Sequence, residues 1–155
     1  MKKITKPMKK ILFLLLTVFS ISCGLVSNNN ELTKLWHTDV NEAIIEANKT
    51  NKPIFAFFTG KTWCSWCKKL EKQILSQETF TKYAKENLVL LELDFPRGSR
   101  NLPQEQITLA RKFQIQGYPT VILMDAETNL LGKTGYEYMT PDEYVAHIQK
   151  MIPKK

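Results

Sequence analysis

Hydrophobic positions change period several times along this chain, and each change marks an element. Between Asp39 and Thr50, Val40, Ala43, Ile44 and Ala47 share one helical face, with Asp39 placed as the cap. Lys52 to Phe58 (KPIFAFF) is a short β-rich run, which predicts a buried strand. Thr59-Gly60-Lys61-Thr62 turns the chain into a helix that starts near Cys64 and runs through Leu75. A second helical stretch, Gln77 to Glu86, follows with Ser76 as its expected cap. Leu88 to Leu93 (LVLLEL) is another buried strand, and residues 95–102 form a turn-rich loop. Pro103 opens a helix that ends near Phe113. Thr120 to Met124 and Leu130 to Tyr136 are strands joined by the Glu127-Thr128-Asn129 turn. Thr140, Pro141 and Glu143 are spaced as a capping box opening a last helix. The order α, β, α, α, β, α, β, β, α predicts a mixed α/β sheet covered on both faces.

The first residues follow a different logic. Lys2, Lys3, Lys6, Lys9 and Lys10 precede an apolar run from Ile11 to Ile21 (ILFLLLTVFSI). A cationic start followed by roughly 7–15 apolar residues is the layout of an export signal, too short to span a bilayer as an ordinary helix. Residues 1–22 are therefore expected to be a signal peptide. Cys23 follows Ser22 directly, as in a bacterial lipoprotein cleavage site, although Ser20 stands where such sites usually have Leu. The expectation is an acylated Cys23 and a polar tether over residues 23–35, with the folded domain at 36–155. The protein should then be exported to the periplasm or cell envelope and held at the membrane by its lipid.

Charge changes little beyond this. The chain has 155 residues and a formal net charge of +7, but five of its 22 basic residues belong to the leader. What remains is 17 basic residues against 15 acidic ones, which does not support a phosphate-binding patch or a nucleic-acid partner. Cysteine usage is more informative. With Cys23 removed or acylated, only Cys64 and Cys67 are left, in one CxxC. So small a loop contributes little as a structural staple, so the pair reads as redox-active.

Trp63-Cys64-Ser65-Trp66-Cys67-Lys68 lies between a buried strand and a helix start. There Cys64 meets unpaired backbone N–H groups and the positive end of the helix dipole, which favour a thiolate. Cys67 is three residues on, on the same face and close enough for a disulfide. Cys64 is thus the candidate nucleophile, and Cys67 the thiol that resolves the mixed disulfide. His37 and His147 are isolated, and Lys68 occupies the place a haem-attachment motif gives to His. Two Cys without a nearby His make a poor zinc site, so no metal or cofactor is expected.

WCxxCK after an apolar strand, and Gly117-Tyr118-Pro119-Thr120 before a later one, resemble the thioredoxin superfamily over roughly residues 36–152. The Lys-Pro strand opening, the CKKLEK stretch and the long loop before the third helix look like periplasmic reductant domains such as the C-terminal domain of DsbD. The resemblance implies a thioredoxin fold, with a central mixed sheet of about four to five strands flanked by helices. It implies that Pro119 is a cis-proline lying against the disulfide and that the backbone before it pairs with substrate. Thioredoxin itself carries a buried Asp in the strand before the CxxC, and here that place is apolar, Phe57 or Phe58. Glu71, four residues after Cys67, is the candidate substitute proton acceptor; the alternative is a half-exposed Glu paired with a lysine of its own helix.

Trp63, Trp66 and Tyr118 are candidate substrate contacts, each with the alternative of plain packing. The function these residues support is a thiol:disulfide oxidoreductase that reduces exported proteins and draws electrons from a membrane donor. The competing readings are a Cu(I)-binding or client-binding module on the same fold, and a lipoprotein whose CxxC is a static disulfide.

Overall fold

The computed structural model describes residues 35–153. The leader, Cys23 and most of the expected tether lie outside the described residues, as do the last two lysines. The elements are β1 (Trp36–His37), α1 (Val40–Thr50), β2 (Ile54–Thr59), α2 (Ser65–Leu70), a π-helical turn (Glu71–Leu75), α3 (Glu78–Asn87), β3 (Val89–Asp94), α4 (Gln104–Lys112), β4 (Thr120–Met124), β5 (Leu130–Thr134) and α5 (Pro141–Gln149). The strands form one five-stranded sheet in the order β1-β3-β2-β4-β5. β2 is central, parallel to β3 and antiparallel to β4. No helix among the described residues is long and apolar enough to cross a membrane.

Alternation along the central strands splits the core into two layers. Phe55 and Phe57 of β2, Leu90 of β3, and Val121 and Leu123 of β4 face a layer built by α2, the π-helical turn, α3 and α5. Ile54, Ala56 and Phe58 of β2 face the opposite layer, with Val40, Ala43 and Ala47 of α1 and Leu109 of α4. Both cysteines belong to the first layer. The parity also resolves the apolar position left open above, because Phe57 points toward the cysteines and Phe58 points away.

Two local signals that rest on side-chain hydrogen bonds appear as expected. The Asp39 carboxylate accepts from the N–H groups of Asn41 and Glu42, and Thr140 with Glu143 completes a capping box. Four details differ. β1 is an added edge strand, paired with β3 through Trp36 and His37. The helix expected over 64–75 ends as α-helix at Leu70 and continues as a π-turn. Gln77 rather than Ser76 precedes α3, and the Ser76 hydroxyl instead donates to the Lys72 carbonyl. The last strand stops at Thr134 and leaves Tyr136 in the loop that follows.

Candidate active site

The site is built at the end of β2. Gly60 accepts two backbone hydrogen bonds, from Trp63 N (3.1 Å) and Cys64 N (2.8 Å). The turn is clamped to the end of β3 in three places. Asp94 accepts from Lys61 N at 2.8 Å, Phe95 N donates to Thr59 O at 2.8 Å, and the Trp63 indole donates to Phe95 O at 2.8 Å. Gly60 is needed here for space. A Cβ at this position would sit 2.4 Å from the Trp63 ring.

These clamps deliver Cys64 to the N-cap of α2 in an extended conformation, φ −90° and ψ 103°. Its Sγ accepts the N–H of Cys67 at 3.1 Å. The first turn of α2 carries no acidic side chain to offset the positive helix end at the sulfur. Cys64 and Cys67 are joined as a disulfide with Cα atoms 5.3 Å apart, within the range that a disulfide tolerates. Cys64 is 5% exposed and Cys67 1%, so access to the pair is through Cys64.

Beyond α2 the π-turn, with Ser76 N donating to Glu71 O at 2.9 Å, inserts one wide turn. Ile74 and Leu75 are both buried by it, while Glu71 lines a cavity of about 260 Å³. Phe57, Lys61 and Glu92 line the same cavity. Lys61 Nζ pairs with Glu92 Oε2 at 2.7 Å. Burial by itself would lower the Lys61 ammonium, but the bond to Glu92 and the charges of Glu71 and Asp94 outweigh it and hold it above its ordinary range. Burial raises the Glu71 carboxyl, the charge of Glu92 raises it further, and Lys61 offsets part of the rise. Glu71 thus interacts with a lysine of the β2–α2 turn, and no ion pair joins it to a lysine of its own helix among the described residues.

A raised carboxyl binds its proton more tightly in the folded chain than in the unfolded one. Stability therefore falls as pH rises from the ordinary carboxyl value near 4.5 through the elevated one. Glu71→Gln is expected to remove that fall, so the variant gains stability relative to the wild type at pH 7 compared with pH 4. Urea titrations at the two pH values check this. An equal difference at both would separate Glu71 from the cavity charges.

The aromatic candidates fall into two clusters. Trp63 meets Tyr118 edge-on at 5.5 Å, and Tyr118 continues to Phe95 at 5.4 Å. Burial pushes the Tyr118 hydroxyl up from its usual range. The Tyr118–Pro119 peptide bond is cis. Trp66, 47% exposed, meets Tyr136 at 5.3 Å and Tyr138 at 6.3 Å. The structure thus brings Tyr118 to Trp63 and leaves much of Trp66 open to solvent.

Sequence reading alone passed over Lys61, Glu92, Lys69, Arg97, Tyr136 and Tyr138. Glu92 had a usable signal, as the lone charge inside the apolar run LVLLEL. The others meet the site only through the folded chain. Among the described residues no cluster of three His, Cys, Asp or Glu side chains is arranged to hold a metal ion.

Comparison with known proteins gives the family and the fold. Residues 40–152 match the model of the thioredoxin-like domain family. Over 115 residues the chain is 33% identical to the disulfide bond reductase DsbH of Chlamydia pneumoniae, covering 72% of this chain and 69% of that protein. A solved structure of the DsbH oxidoreductase superposes with a TM-score of 0.67 at 32% identity, covering 75% of this chain and 82% of that one. The oxidised C-terminal domain of Neisseria meningitidis DsbD superposes with a TM-score of 0.57, covering 76% of this chain and 99% of that one. At 13% identity, that last likeness speaks for the fold alone. With a disulfide at the capped start of α2, a cis-proline before β4 and a family match over most of its length, the chain belongs to the thioredoxin-like family.

Proposed function

We propose that this protein works as a dithiol reductant of exported proteins, with Cys64 as nucleophile and Cys67 as resolving thiol. The chain is a thiol:disulfide oxidoreductase of the Dsb type, and the likeness to a disulfide bond reductase favours the reducing direction. The observation that carries the reading is the Cys67 N–H donated to Cys64 Sγ at the start of α2. In the reduced protein the same N–H and the helix dipole stabilise a Cys64 thiolate.

In the first step that thiolate attacks one sulfur of a client disulfide. The client S–S bond breaks, a mixed disulfide forms at Cys64, and one client thiolate leaves and takes a proton. Cys67 then loses its proton and attacks Cys64 Sγ. The mixed disulfide breaks, the Cys64–Cys67 disulfide forms, and the second client thiolate leaves. Two electrons and two protons pass to the client. A membrane protein of the envelope is the electron donor that restores the dithiol.

Glu71 is the proposed acceptor of the Cys67 proton, because it follows Cys67 by four residues and its partly desolvated carboxyl, raised from the ordinary range, is better matched to a thiol. Pro119 shapes the groove in which the client strand lies, and Trp63, Trp66 and Tyr118 flank it. Residues 1–22 direct export, and acylated Cys23 with the segment to residue 35 tethers the domain to the membrane. The cationic apolar leader supports that reading.

The test is the potential of the Cys64–Cys67 couple against glutathione, together with insulin reduction by the dithiol form. A potential close to about −270 mV with insulin turnover is expected, far from the roughly −120 mV of a strong oxidant. Stoichiometric Cu(I) uptake without any disulfide reduction would overturn the assignment.

A further inference from the structure

We propose that the surface around the disulfide selects client disulfides flanked by acidic side chains, with Lys69 and Arg97 as the residues that set this preference. The proposal rests on the oxidoreductase reading above and adds a substrate class to it.

Each tryptophan next to the cysteines carries a cation on its ring. The Lys69 ammonium lies 4.8 Å from the centroid of Trp66, 4.9 Å from Tyr136 and 5.1 Å from Tyr138. The Arg97 guanidinium lies 4.7 Å from the centroid of Trp63. An aromatic face holds a cation in place without neutralising it, whereas a carboxylate partner would cancel its charge. Neither Lys69 nor Arg97 forms an ion pair with a described carboxylate. Of the carboxylates nearest in sequence, Glu71 lines the cavity with Lys61 and Asp94 accepts the Lys61 N–H. Glu137, between Tyr136 and Tyr138 in sequence, forms no ion pair with either cation. Lys68 adds a third cation at this end of α2, its Nζ 3.2 Å from the Thr62 carbonyl.

Trp63 and Tyr136 are partly buried against the core, but the other two rings are left open. Trp66 is 47% exposed and Tyr138 82%, so the patch beside the disulfide presents bare ring surface together with fixed positive charge. The occupant that complements both is an extended client segment carrying Asp or Glu beside its cysteine. Its carboxylates reach the outward side of the Lys69 ammonium and the free fork of Arg97, while its backbone and apolar atoms cover the rings. The same field speeds the encounter, because oppositely charged surfaces associate faster at low ionic strength.

The test uses the full mature protein in its dithiol form and three short synthetic peptides, each closed by one disulfide flanked by Glu, Gln or Lys. Second-order reduction rates are measured by stopped-flow and divided by each peptide's rate with dithiothreitol, which removes the intrinsic effect of flanking charge on exchange. The expected Glu-to-Lys ratio is about tenfold at ~50 mM salt and under about twofold at ~500 mM. The double variant Lys69→Gln with Arg97→Gln is expected to bring the low-salt ratio to about twofold, and Lys69→Arg with Arg97→Lys to keep it. Equal normalised rates for the three peptides, or an unchanged ratio in the glutamine variant, would overturn this proposal alone. Failure to reduce any peptide, the neutral one included, would remove the oxidoreductase reading and this proposal with it.

Discussion

Cys67→Ser is expected to convert the protein from a turnover catalyst into a covalent trap. Cys67 is 1% exposed and held one helical turn from Cys64, so its sulfur is the one positioned to attack a disulfide at Cys64 from within the protein. Without it the first exchange proceeds and the second does not, and client and protein stay joined through Cys64. Insulin reduction should fall by at least about a hundredfold, the scale on which an effectively intramolecular step exceeds a bimolecular one. Non-reducing gels of trapped cell-envelope extracts should show adducts that dithiothreitol releases. Unimpaired turnover with no adducts would mean that Cys64 is cleared by external thiols and that Cys67 has no kinetic role.

Gly60→Ala should produce the second large effect, for a purely steric reason. The added methyl lands 2.4 Å from Trp63 Cε2, and Trp63 cannot simply step aside. Its indole donates to Phe95 O, and its ring is packed against Tyr118. Either the indole bond breaks or the β2–α2 turn shifts, and that turn sets the position of Cys64. Overpacking of this kind costs about 1–3 kcal/mol. The expected result is a lower midpoint in urea, a changed Trp fluorescence spectrum and slower client reduction together. A variant with wild-type stability and rate would show that the Trp63 clamp does not hold the site. Cys67→Ser, by contrast, adds no volume at the turn and removes the second attack.

What could be read before folding was local. The Asp39 cap and the Thr140–Glu143 box depend on hydrogen bonds within three residues, so a short stretch of chain contains the whole interaction. The apolar runs of β2, β3 and β4 identified themselves because a doubly covered strand needs apolar residues on both faces. The reactive pair was legible for the same reason, since strand, turn, cysteine and helix start are consecutive. Two-residue β1 had no period to detect, and the π-turn had no recognised sequence signal here.

The amino-acid sequence by itself determined the order of elements from α1 to α5 apart from the π-turn, the Asp39 and Thr140 caps, and the presence of two thiols at a helix N-terminus, all through interactions between near neighbours. Only the tertiary structure decided what surrounds those thiols. Strand parity turned Phe57 rather than Phe58 toward the cysteines, a choice that a shift of one residue would reverse. Pairing of β2 with β3 in register set Glu92 opposite Phe57, where Lys61 reaches it. The loop after β5 brought Tyr136 and Tyr138 to Trp66 and Lys69. These groups are distant along the chain, and only the sheet order brings their charges and rings to one place.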